Sequence, residues 1–216
     1  MTSTNVHPYR DAGQPVAARV QDLLARMTLD EKLAQVGCVW SNVLVQDDAF
    51  SEQKARELLA NGTGHITRIG STTALRPRES AAFMNQIQRF LVEQTSLGIP
   101  AILHEESCAG FTARDATQFP QAIGLASTWA PELIEDMAAV IREQMLAVGA
   151  RHTLAPVLDV TRDPRWGRTE ETYGEDPYLV SRMGVAYVRA YRGTNGKAAS
   201  WLQVSTSSAM AHRRAA

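Results

Sequence analysis

A chain of 216 residues in which 44% are hydrophobic and 21% charged has the balance of an ordinary soluble globular protein, which excludes disorder and fibrous repeats. Twenty-two basic against twenty-three acidic residues leave a net charge of -1, so no global field attracts nucleic acid or an anionic membrane, and the expected partner is small and uncharged. Cys38 and Cys108 lie far apart with no CxxC spacing, which excludes a disulfide framework and a thiolate metal site.

The opening stretch, MTSTNVHPYRDAGQPVAARVQDLL, has no apolar run fit to be a signal core, and no later stretch approaches a membrane span, so the expected location is cytoplasmic. From Pro15 onward Val16, Val20, Leu23, Leu24 and Met27 recur at helical spacing, predicting an amphipathic helix with its stripe turned to a core. Thr28-Leu29-Asp30-Glu31 reads as a capping box that opens a second helix through Leu33, Ala34 and Val36. Residues 51–60 form a third, closed by Asn61 and Gly62 in the left-handed conformation that helix ends favour. Short apolar runs then alternate with long helical ones. Strands are expected at 65–69, 100–104 and 152–160. Helices are expected at 79–96, with Phe83, Ile87, Phe90 and Leu91 on the apolar side, at 131–146, and at 177–191 up to Gly193. Pro131 suits a first turn and Gly149 a C-terminal cap. Strand and helix alternating in this way predict parallel βαβ units in an α/β fold, either a barrel or an open doubly wound sheet. Beyond residue 193 the sequence turns small, polar and aperiodic.

In a barrel the working groups sit at the C-terminal ends of the strands. Two such ends are rich in polar residues: Glu105, Glu106, Ser107 and Cys108 after PAILH, and RDPRWGR after LAPVLDVT. Adjacent carboxylates there suit metal ligation, acid/base work or acceptance of hydrogen bonds from substrate hydroxyls, and equally a solvated loop. RDPRWGR suits either an ion-pair loop, with Arg162 and Arg165 on Asp163, Glu170 or Glu171, or sugar recognition by Trp166 and the arginines. His65, His104 and His152 are dispersed along the chain without zinc spacing, so they are expected to be structural and no metal ligand is assigned. Phosphate-loop and dinucleotide-binding patterns are absent, which weakens the open-sheet nucleotide-binding alternative, and a nucleophile elbow is absent too.

Three strings carry a family resemblance. RVQDLLARMTLDEKLAQVG, ATQFPQAIGLASTW and above all LAPVLDVTRDPRWGRTEETYGEDPYL resemble family 3 glycoside hydrolases, with a nearly continuous match over 8–193. The resemblance implies the N-terminal portion of a TIM-like (β/α)8 barrel that hydrolyses terminal β-linked glucose or xylose with retention, without metal or organic cofactor. It implies that an acid, followed by three residues and then Gly, holds hydroxyls of the terminal sugar. That pattern falls on Glu106 and Gly110, with Glu105 as a neighbouring candidate. It further implies that the second arginine of the RWGR element, Arg168, binds the same sugar; a guanidinium is a rigid fork of donors. Glu at 106, where β-glucosidases commonly have Asp, resembles β-xylosidase-like members.

Retaining hydrolysis needs two carboxyl groups about 5 Å apart. The resemblance implies that the family's nucleophile is an Asp on a later barrel strand and that its acid/base lies beyond that; its Lys-His-Phe element, due soon after residue 193, is not found in the sequence. Residues 1–193 are therefore expected to be about three of eight strand–helix units, without catalytic residues and inactive alone, with exposed edges that lower solubility. Residues 199–216, read from the third base of each codon, can encode VVATGKHFVGYGASEGG, which is what the family would show there. The expectation for 194–216 is a tail outside the family, produced by a shift of reading frame. Two other readings stand beside this one: a non-catalytic sugar-binding module that uses Glu106 and Arg168, and an unrelated βαβ enzyme that uses Glu105 and Glu106 on a metal.

Overall fold

The computed structural model describes residues 7–47, 49–193 and, as backbone, 201–202. Two helices open the chain, α1 (Val16–Arg26) and α2 (Leu29–Gln35). The predicted capping box starts α2: Thr28 Oγ1 accepts from the Glu31 amide at 3.2 Å, and Glu31 Oε2 accepts from the Thr28 amide at 2.8 Å. The second oxygen of Glu31 takes the Ser96 hydroxyl, which ties this cap to the chain 65 residues on.

The apolar stripe of α1 does not enter a core. Val16, Val20 and Leu24 remain 71%, 48% and 48% exposed, and only Met27, just past the helix, is buried. The helix is held instead by polar links, Arg19 Nε donating to Tyr9 O at 3.0 Å and Tyr9 N to Asp22 at 3.1 Å. Periodicity gives a helix an apolar side without saying what lies opposite it, and among the described residues nothing covers this one.

Next come β1 (Cys38–Trp40), a hairpin of β2 (Val45–Gln46) and β3 (Ala49–Phe50), and α3 (Glu52–Leu58). The repeating units follow: β4 (His65–Thr67), then α4 (Ile69–Thr72) and α5 (Pro77–Gln94); β5 (Ile102–Glu105), then α6 (Ala122–Ala126) and α7 (Pro131–Ala147); β6 (His152–Thr153), then α8 (Pro177–Arg192); and β7 (Trp201–Leu202). The sheet runs β1-β4-β5-β6-β7 and is parallel throughout, with β1 and β7 at its two edges. This is an arc of a TIM-like barrel, as the family resemblance implies, the βαβ pattern by itself having allowed an open doubly wound sheet as well. It contains two strands more than were expected, because β1 has three residues and β7 only two, too few for a hydrophobic period to register. The run 152–160 yields a two-residue strand, and the rest of it leaves the sheet as loop. The shifted-frame expectation for 194–216 lies outside the described residues, apart from the strand at 201–202.

Helices and sheet share one core. Phe83, Ile87, Phe90 and Leu91 of α5 are buried as predicted, together with Ile134, Met137, Ile141 and Met145 of α7 and Val180, Met183, Tyr187 and Tyr191 of α8. Ile66 and Leu103 meet them from the sheet. Among the described residues no helix is long and apolar enough to cross a membrane.

Candidate sugar-binding site at the strand ends

In a parallel pair, partnered residues share a face and faces alternate along each strand. The register Cys38↔His65↔Ile102, Trp40↔Thr67↔His104 and His104↔His152 therefore puts Cys38, Trp40, His65, Thr67, Ile102, His104 and His152 on one face. The opposite face, with Ile66, Leu103, Glu105 and Thr153, packs on the helices. The first face is the barrel lumen.

Alternation separates the two adjacent glutamates. Glu105 belongs to the helix-facing set, has no exposed surface, and accepts the Gly70 amide at the start of α4 at 3.1 and 3.3 Å. Burial raises its carboxyl pKa to about 7, against the opposing pull of the Gly70 and Ile69 amides and Arg68. No sugar reaches it there. Glu106 emerges at the mouth, where its carboxylate receives three donors: Arg68 Nη2 at 3.0 Å, the Ser107 amide at 3.3 Å and Cys108 Sγ at 3.3 Å. Arg68 in turn lies over the Trp40 ring, 5.3 Å from its centroid. Trp40, Arg68 and Glu106 thus form a row across the C-terminal ends of β1, β4 and β5.

A buried hydroxyl cluster sets the position of this row. Tyr187 of α8 bonds Ser107 Oγ at 2.8 Å and donates to Ser107 O at 3.2 Å, and Ser107 Oγ also bonds Thr153 of β6. All three residues are fully buried or nearly so, and burial raises the Tyr187 phenol well above its usual range, so it remains a neutral donor. The loop then turns at Gly110, whose φ of 106° lies in the region side chains avoid. A Cβ there would stand 2.3 Å from Thr117 O, backbone that cannot move aside. The acid–three–Gly spacing thus has a steric cause.

Arg168 reaches the same mouth from beyond β6. Its guanidinium is held in a two-pronged ion pair by Glu171, with Nε to Oε1 at 3.0 Å and Nη2 to Oε2 at 2.6 Å. Cys108 lies between the two groups: its thiol contacts Glu106 and feels the charges of Glu171 and Arg168. Burial, then the Glu106 charge, pushes that thiol far above its ordinary pKa, so it is no nucleophile. The rest of RDPRWGR behaves as an ion-pair loop, Arg165 clasping Asp163 through Nε at 2.9 Å and Nη2 at 2.6 Å.

Of the three residues singled out by sequence, the structure brings Glu106 and Arg168 to one mouth and turns Glu105 away. Arg68 and Trp40 were not singled out. Arg68 was hidden inside the predicted strand 65–69, although it stands at a strand end like Glu106, and Trp40 lies in the strand that periodicity missed. The histidines, dispersed along the chain, converge in the sheet: one nitrogen each of His65, His104 and His152 lie within 4.8 Å of one another.

This fold has known counterparts. The chain is 34% identical over 194 residues to beta-glucosidase C of Emericella nidulans, covering 86% of this chain and 31% of that protein. The solved beta-glucosidase of Erythrobacter marinus superposes with a TM-score of 0.79 at 29% identity, over 93% of this chain and 27% of that one. The Listeria innocua beta-glucosidase in complex with glucose does so with a TM-score of 0.66 at 31% identity, over 82% and 24%. The chain spans about a third of the length of the curated relatives it matches. The N-terminal domain model of glycosyl hydrolase family 3 matches residues 28–209, and the chain belongs to that family.

Proposed function

We propose that this chain supplies part of the wall that holds the terminal sugar of a β-glucoside or β-xyloside, with Glu106 accepting and Arg168 donating hydrogen bonds to its hydroxyls. The observation that carries the reading is that two residues from different strand ends meet around Cys108 and keep accessible side chains, 25% exposed for Glu106 and 40% for Arg168. Each is already charged and paired, so sugar hydroxyls enter a ready-made set of donors and acceptors at little cost in reorganisation. The partner is a small saccharide.

The same carboxylates do not perform hydrolysis by themselves. Retaining hydrolysis needs one carboxyl to attack and another to protonate the leaving oxygen, whereas Glu106 and Glu171 are each held in an ion pair by an arginine. Glu105, whose carboxyl pKa burial raises, faces the helices.

Calorimetric titration with glucose and xylose tests the reading. Millimolar binding is expected, weakened at least tenfold, about 1.4 kcal/mol, in Arg168→Ala, with no release of nitrophenol from the aryl β-glucoside or β-xyloside. Binding that ignores Arg168→Ala, or turnover by the purified chain, overturns it. A glucose-over-xylose preference would argue against the β-xylosidase-like reading of Glu106.

A further inference from the structure

We propose that His65, His104 and His152 form a binding site for a divalent transition-metal ion, zinc foremost, on the lumen face of the sheet beneath the sugar-binding mouth. The three come from adjacent parallel strands β4, β5 and β6, and register puts all of them on the same face. Their ring centroids form a nearly equilateral triangle with sides of 5.5, 5.8 and 5.4 Å. The ring planes meet at 61°, 57° and 64°, close to the 60° of three planes that run parallel to a common threefold axis. A tetrahedral zinc ion about 2.0–2.1 Å from one nitrogen of each ring would set those centroids about 5.2 Å apart. The nitrogens, all within 4.8 Å of one another, would have to close to about 3.3 Å on binding.

A purely structural role leaves two atoms unaccounted for. His104 and His152 are each 8% exposed, and the Nδ1 of both is buried without a hydrogen-bond partner. Strand histidines kept for packing alone would strand two polar atoms at about 1–3 kcal/mol each. The electrostatics suit a ligand set: burial, then the neighbouring imidazoles, lowers the pKa of His104 to about 4, and burial lowers that of His152. Both rings are neutral and need release no proton to bind. Three imidazoles without a carboxylate select zinc, copper, nickel or iron over magnesium and calcium. The fourth position, toward the lumen, is left for water or a small anion. Three strands joined through one ion would also stiffen the arc that carries Trp40, Arg68 and Glu106.

The test uses the 216-residue chain, stripped of metal and titrated with Zn2+ in competition with a chromogenic chelator. The expected result is one equivalent of zinc per chain, with affinity falling at least a hundredfold in His104→Asn and in His152→Asn, unchanged in the control His7→Asn, and with no competition from Mg2+. Circular dichroism checks that the variants are folded. A measurement that needs no variant is the visible spectrum of the Co2+-loaded chain, which is expected to show the intense bands of a four-coordinate site. Absence of saturable zinc binding, binding that survives both histidine replacements, or a weak six-coordinate cobalt spectrum would each overturn the proposal. None of these outcomes depends on whether the mouth above binds sugar.

Discussion

Gly110→Ala is expected to destabilise the chain by about 4 kcal/mol or more and to abolish sugar binding while Glu106 remains in the sequence. Two penalties combine at this position. A φ of 106° is a conformation that costs a side-chain-bearing residue on the order of 1–3 kcal/mol. The added methyl would also lie 2.3 Å from Thr117 O and 3.2 Å from Gln118 Cα, both backbone atoms. Relieving the contact means opening a loop in which the Phe119 amide donates to Ala109 O at 2.9 Å and the Thr112 amide to Glu106 O at 3.0 Å. The second bond is made by the main chain of Glu106 itself, so its side chain would lose its fixed aim. Urea denaturation followed by glucose titration checks both effects; a variant within about 1 kcal/mol of the parent that still binds sugar would show that the turn tolerates a side chain.

Glu105→Gln is expected to stabilise the metal-free chain at alkaline pH and to do little at acid pH. The carboxyl titrates near 7 in the folded chain against 4.5 as an ordinary glutamate. A raised acid favours folding while protonated, so its contribution is complete below pH 4.5, declines as pH rises through 7, and then levels off. The interval, 7 minus 4.5, is 2.5 units, and at 1.36 kcal/mol per unit the penalty at pH 8 is about 3 kcal/mol. Glutamine keeps an oxygen for the Gly70 amide and never ionises. Urea midpoints in chelator at pH 5 and pH 8 should therefore converge at the lower value and separate at the higher. Equal stability of parent and variant at pH 8 would mean that water or a local opening already relieves the buried charge.

Much of the architecture was legible because it depends on neighbours in the chain. The Thr28–Glu31 cap, the buried stripe of α5 and the glycines that end helices are local matters of spacing and dihedral preference, and each stands where spacing put it. Strands β1 and β7 were not legible, because two or three residues carry no period; their partners create them. The α1 stripe shows the reverse failure, in which a clear local pattern was assigned a tertiary neighbour that the described residues do not contain.

Sequence alone determined the family and the barrel class of the fold, and it marked Glu106, Gly110 and Arg168 as candidates, because a turn that only glycine can make and a charged strand end leave marks in consecutive residues. The tertiary structure decided what those residues touch. It turned Glu105 into the helix layer and Glu106 to the mouth, through the alternation of a strand whose register no single residue reveals. It set Arg68 and Trp40 beside Glu106, and it gathered His65, His104 and His152 from three separate segments into one triangle. Parallel strands become neighbours only after a helix has carried the chain back, so contacts between them are a property of the sheet and leave no spacing in the sequence to read.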